Sequence, residues 1–302
     1  MKTGISEPRQ VTKIVTAHRQ REGGGFIVRR SFPSAGFRHA DPFLLLDEMG
    51  PVEYGPGEAI GAPDHPHRGF ETVTYVLDGE MEHEDSAGHR GRLGAGDVQW
   101  MTAGRGIIHS EMPSRTMRQR GGRMHGFQIW VNLPARDKLT TPRYQEIPRA
   151  TIPEAATPDG CAVVHAIAGE APGAKAVIET RTPIGYLHWI FSPGASVDVP
   201  VPADHAAYVY VFEGAVRITG REVKDGQLAI LGDGNGVQLE ASERAQALLL
   251  TGVPLREPVV QYGPFVMNTE REIVQAIEDY QAGRLGEIAR SVVPSAQQES
   301  LG

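Results

Sequence analysis

Cysteine is almost absent from these 302 residues; Cys161 stands alone. One thiol closes no intramolecular disulfide, so packing must hold the fold, and a reducing compartment suits the chain. No run of about 18 apolar residues is present to span a bilayer. The N-terminal MKTGISEPRQ has no apolar stretch behind its lysine, so no secretory signal is expected. The expectation is a cytoplasmic protein, or a nuclear one in a eukaryotic host, without membrane contact. Positive charge is also short: 30 Lys and Arg against 37 Asp and Glu give a net charge of −7. Such a surface repels phosphate backbones, and no DNA-binding motif appears, so direct nucleic-acid binding is not expected.

What is plentiful is punctuation. Thirty-six glycines and 22 prolines are scattered without a period, which suits many short strands joined by tight turns. The length allows two ordinary domains. From Val11 to Pro134 the chain reads as successive strands, with turn signals at Glu22 to Gly25, at Asp78-Gly79 and at Gly94 to Asp97. Residues 140–160 carry Pro142, Pro148, Pro153 and Pro158 with little periodicity and read as a linker. A second strand-rich block follows from Cys161. In it, Tyr210 to Gly214 matches Tyr75 to Gly79 in character at each position, a trace of a duplicated β-unit. Thr269 to Glu272 has the form of a capping box ahead of Ile273, Ile277 and Tyr280, which predicts a helix over 269–285. Residues 291–302 are expected to be a disordered tail.

The chemistry concentrates in two short segments. His65-Pro66-His67 and His109-Ser110-Glu111 each place potential ligands two residues apart, and on a strand such residues project from one face. Turns between the two segments can fold both faces into one barrel interior. Three imidazoles and a carboxylate suit a first-row divalent ion. In six-coordination they leave two positions open. The lack of cysteine in the cluster argues against a closed structural zinc site, although zinc can occupy such ligands.

Around these residues the stretches DPFLLLDE (41–48), HPHRGFETVTY (65–75), GRGIIHSE (104–111) and HGFQIWVNLP (125–134) resemble the signature segments of the pirin family, a bicupin group. The match is strong in the N-terminal half and looser beyond it. The resemblance implies an all-β fold of two tandem cupin barrels with a C-terminal α-helix. It implies a metal-binding barrel over residues 1–139, and a barrel without metal over 161–290. It also implies one divalent metal, Fe2+ foremost, held by His65, His67, His109 and Glu111.

Glu71 shares the parity of His65 and His67, and it is expected to orient a ligand imidazole or close the barrel rather than bind metal. His165, His188 and His205 lack partners at ligand spacing and are expected to be core or surface residues. His18, His39, His83, His89 and His125 are expected on the surface or in turns, with His125 the one placed to pass near the cavity. Arg115, Arg118, Arg120 and Arg123 read as a solvated mobile loop beside the metal mouth.

The resemblance implies, for some members, a dioxygenase that opens the central ring of a flavonol such as quercetin, with O2 as co-substrate and Glu111 as general base. Phe70, Met101, Ile107 and Trp130 are the expected lining of the substrate cavity. The alternative is an iron-containing, redox-sensing regulatory protein that acts through a protein partner without touching DNA. A third expectation, a stress or storage protein without chemistry, would make His65→Ala a stability change only.

Overall fold

The computed structural model describes residues 5–38 and 40–290; His39 and the tail 291–302 lie outside the described residues. Strands dominate, and they form two sandwiches, each of a seven-stranded and a four-stranded antiparallel sheet. In the first sandwich the long sheet runs Arg143–Ile147, Val98–Thr102, Phe70–Asp78, Gly122–Asn132, Phe43–Tyr54, Phe26–Phe32 and His18–Glu22. Its short sheet runs Ala62–His67, Ile107–Pro113, Met81–Asp85 and Arg90–Leu93. These are cupin barrels. The turn signals fall where the chain reverses: Gly79 and Gly96 have φ of 91° and 87°, which an L side chain adopts at a cost and glycine adopts freely.

The second sandwich repeats this order strand for strand. Its long sheet runs Val11–Thr16, Gln227–Leu231, Ala206–Glu213, Ala245–Gly252, Ile184–Phe191, Ala162–Ala168 and Glu154–Ala156. Its short sheet runs Ala195–Pro200, Gly236–Ala241, Ala215–Ile218 and Arg221–Lys224. Tyr75 and Tyr210, matched in the sequence, lie on strands with the same place in this order.

The ends of the chain are exchanged between the barrels. Val11–Thr16 pairs with Gln227–Leu231 and so belongs to the second sheet. Conversely, the strands Val260–Tyr262 and Phe265–Met267 and the helix Glu270–Gln281 pack on the first barrel: Val266 clusters with Leu44 and Phe70, and Ile108 joins Phe265 and Ile273. Arg68 is ion-paired with Asp279 at 2.7 Å. The boundaries drawn at 139 and 161 miss this exchange, because an edge strand's partner is set in space and leaves no mark on the strand itself.

Residues 140–160 also differ from a linker. Arg143–Ile147 completes the first long sheet beside Val98–Thr102, and Glu154–Ala156 completes the second beside Ala162–Ala168. Prolines at strand ends are compatible with edge strands, which need few ladder donors.

The C-terminal helix begins as its capping box dictates, with Thr269 Oγ1 accepting from the Glu272 amide and Glu272 accepting from the Asn268 amide. It ends at Gln281 rather than near 285, because Gly283 takes a φ of 72° that terminates the helix. The arginine run is no mobile loop. Ser114 caps a helix over Arg115–Arg120, Met117 is buried beneath it, and Arg123, second residue of the next strand, is ion-paired with Asp78 at 2.8 Å.

The two long sheets pack face to face. Phe43, Val73, Tyr75, Trp100 and Phe127 meet Tyr186, Tyr208, Tyr210, Phe212 and Leu250 in one apolar core. Inside this seam Glu48, fully buried, accepts from Arg29 (2.8 and 2.6 Å), from the Tyr210 hydroxyl (2.6 Å) and from His125 (2.9 Å). His125 therefore serves the seam between barrels and is neither a surface residue nor a cavity neighbour. His188, also buried, joins Tyr75 and Gln246 at 2.9 Å each.

Candidate metal centre

The interiors of the two barrels differ in kind. The second is filled by aliphatics such as Val197, Val199, Val216, Val237 and Leu239. The first buries Thr72, Thr74, His83, Asp85, Gln99, His109 and Glu111. Burying polar groups costs free energy unless each finds a partner, so a polar barrel interior needs a chemical reason.

That reason lies at the pairing of Ala62–His67 with Ile107–Pro113. The register sets His65 opposite His109 and His67 opposite Ile107, and a register shift follows between His109 and Glu111. His65, His67 and His109 converge so that one ring nitrogen from each lies within 4.8 Å of the others, a grouping able to hold a metal ion. Their ring centroids are 4.3 to 4.9 Å apart.

The protonation states fit. The His65 Nδ1–H donates to the Pro63 carbonyl at 2.7 Å, which leaves Nε2 with its lone pair. Burial, reinforced by the neighbouring His65, holds both His67 and His109 well below the usual imidazole range, so they are neutral donors. Both nitrogens of His109 are buried without a hydrogen-bond partner among the described residues. Each such orphan costs about 1–3 kcal/mol, and a cation between the rings would relieve the one that carries the lone pair.

Glu111 faces the same cavity but stands apart from the three-nitrogen grouping. Thr74 donates from its hydroxyl to Glu111 Oε1 at 2.7 Å, and Gln128 donates to Thr74 at 3.3 Å. Beside it on the barrel wall, Asp47 forms a two-pronged ion pair with Arg30, at 2.7 and 2.5 Å. Burial nevertheless lifts Asp47 to about 6 against the pull of Arg30.

Glu71 orients no imidazole. Gly69, at a φ of 88°, turns the chain between Ala62–His67 and Phe70–Asp78, and strand parity does not survive the turn. Glu71 accordingly faces the seam, accepts from Thr102 at 2.6 Å and has its carboxyl raised by burial.

His83 is not a surface residue either. It is buried on the barrel interior, hydrogen-bonded to Gln99 and stacked on Tyr144 at 5.2 Å. His18 and His89 are exposed, and His165 and His188 are core residues.

A cavity of about 500 Å³ opens onto His65, His67 and Glu111, with Leu45, Gln128 and Trp130 on its wall. Of the expected lining only Trp130 is there, its ring 5.2 Å from that of His67. Phe70 sits behind His67 at 5.0 Å, while Met101 and Ile107 pack with Ala103 away from the opening. Gln261, Gly263 and Pro264, brought from the far end of the chain, complete the rim. Thr74 and these rim residues carry no signal in the sequence, since neither a threonine on a strand nor a loop proline marks a site.

Two cupin barrels, one with a polar interior and an imidazole cluster open to a cavity, define a bicupin with a candidate metal centre. Comparison with known proteins agrees. The Pirin family model matches residues 25–131 and the model of the Pirin C-terminal cupin domain matches residues 186–286. The chain belongs to the pirin family. It is 45% identical to a pirin-like protein of Solanum lycopersicum, covering 95% of this chain and 96% of that one. It is 44% identical to the pirin of Homo sapiens, covering 93% and 96%. Among solved structures, the quercetin 2,3-dioxygenase of Acinetobacter baumannii superposes with a TM-score of 0.88 at 38% identity, covering 93% of this chain and all of that one.

Proposed function

We propose that the chain is a metal-dependent dioxygenase that opens the central ring of a flavonol such as quercetin, with Fe2+ as the metal. The observation that carries this is the cavity: an imidazole cluster facing about 500 Å³ of partly apolar space admits a flat aromatic, whereas a plugged barrel would not. The name of the Acinetobacter relative supports the same chemistry.

His65, His67 and His109 would hold the ion, with Glu111 as the fourth ligand. The bound ion supplies Lewis acidity that lowers the pKa of the flavonol 3-hydroxyl, and a redox partner for dioxygen. Glu111 would take the 3-hydroxyl proton as general base in a form swung away from the ion; Thr74 holds Oε1, so Oε2 is the oxygen that serves either as ligand or as base. Trp130 and Leu45 hold the aromatic rings, and their apolar faces exclude water from the reacting centre. Dioxygen adds to the electron-rich central ring, which opens with loss of carbon monoxide.

The test is an oxygen switch. Protein loaded with Fe2+ and mixed anaerobically with quercetin does not bleach it, and admitting air does. Absence of bleaching with every first-row divalent metal would end this reading. A redox-sensing regulator acting through protein partners would use the same cluster, but it has no need of an open cavity, and the opening favours catalysis.

A further inference from the structure

The mouth of the second barrel has a cavity without the imidazole cluster of the first. In the first barrel the cavity wall draws on Phe43–Tyr54, on Gly122–Asn132 and on the end of Ala62–His67. The strands with the same places in the second barrel are Ile184–Phe191, Ala245–Gly252 and Ala195–Pro200. Together with the segments 169–183 and 201–205 they line an open cavity of about 970 Å³, larger than the one at the histidine cluster. Where His65 faces His109 across the first short sheet, the corresponding strands bring Val199 opposite Val237, both buried in the aliphatic core. Such a mouth offers a metal no cluster of ligands among the described residues, but it offers a great deal to an apolar body.

Its wall is mainly hydrophobic, with Ile178, Ile184, Leu187 and Leu249 as the larger side chains. Polar groups converge at one place: His205 Nδ1 and the Thr251 hydroxyl are 3.3 Å apart, and both line the cavity. Gly185, paired with Thr251 across the sheet, leaves that hydroxyl uncovered; a Cβ there would lie 2.5 Å from it. The charged residues on the wall, Lys175 and Glu170, neutralise one another in an ion pair at 2.6 Å. Besides His205, no other ionisable side chain is on that wall. An uncharged ligand loses nothing there, and one oxygen on it can bond to the His205–Thr251 pair.

We propose that this mouth is a second, metal-free binding site for an uncharged, largely apolar small molecule bearing a hydroxyl or carbonyl oxygen. The site is independent of the chemistry in the first barrel.

The experiment uses 2-naphthol, a fluorescent phenol uncharged at neutral pH, titrated into the full chain and three variants. Ala176→Trp, half-buried on the cavity wall, fills the space. Thr251→Val keeps the side-chain volume and removes the hydroxyl, so it remains informative if the tryptophan variant misfolds. His67→Ala alters the wall of the first cavity instead. Saturable binding is expected that weakens about tenfold or more in Ala176→Trp, about fivefold in Thr251→Val at unchanged melting temperature, and not at all in His67→Ala. The proposal is overturned if no saturation occurs below about 1 mM. It is equally overturned if affinity follows His67→Ala while both second-barrel variants bind as the parent does.

Discussion

Individual side chains in this protein carry costs that only a partner can offset. His109 buries two unpartnered nitrogens between His65 and His67. His109→Leu, similar in volume, is expected to lower metal uptake by about tenfold or more, measured by metal analysis after loading. In metal-stripped protein the same change is expected to raise stability by about 1–3 kcal/mol, because leucine buries no orphan polar atom. If the stripped variant is less stable than the stripped parent, the account of the cluster as a strained, ion-demanding site fails.

His188 gives a pH signature of the opposite origin. Burial holds it down to about 3, whereas the unfolded imidazole protonates near its ordinary 6.5. Between those values the unfolded chain binds the extra proton, so stability contributed by neutral His188 is present above 6.5 and is lost as pH falls toward 3. His188→Gln cannot titrate. The unfolding free energy of the parent, from urea titrations, should therefore fall relative to that of the variant by about 2 kcal/mol between pH 8 and pH 5; parallel curves would contradict the assignment.

At the scale of elements, the exchanged termini decide which strands are edges. The C-terminal segment lays Val266 against Phe70 and Gly263–Pro264 on the rim of the metal cavity, and Ala276 of its helix is fully buried against the first barrel. Ala276→Asp places a charge at that contact. The expected outcome is a loss of roughly 2–4 kcal/mol and new protease cleavage between residues 255 and 270, since the segment can lift without unfolding either sheet. Unchanged proteolysis would show that the helix is dispensable for seating it. The N-terminal strand Val11–Thr16 plays the reciprocal part by covering Gln227–Leu231. An uncovered strand there would present an unpaired edge to other chains.

At the scale of the molecule, the barrels are joined by a continuous core rather than by a tether. Aromatic contacts such as Phe127 with Phe212, centroids 4.9 Å apart, and Phe43 with Tyr208, at 6.1 Å, cross the seam. Glu48 ties Arg29 and His125 of the first barrel to Tyr210 of the second. Glu48→Ala leaves Arg29 with Asp225 alone and strips both His125 and Tyr210 of their acceptor. A cost of about 3–5 kcal/mol is expected, read in a single calorimetric transition, because neither barrel keeps its long sheet covered without the other. Two separated transitions in the parent would refute the shared core.

The sequence by itself determined the elements and the donors. Alternating β-branched runs between Gly and Asp-Gly turns specify strands through local sterics, Thr269 to Glu272 specify a helix start through local hydrogen bonds, and the i, i+2 spacing of His65 with His67 and of His109 with Glu111 offers each pair of ligands on one face. Tertiary structure alone decided which strand lies beside which, because backbone ladders are chemically identical and a partner is chosen by what the faces bury. That choice moved Val11–Thr16 into the far barrel, turned Glu71 to the seam once Gly69 reset its parity, took His83 and His125 off the surface, and gave Glu111 to Thr74. Convergence of groups distant along the chain is a property of the packed core, and no local rule encodes it.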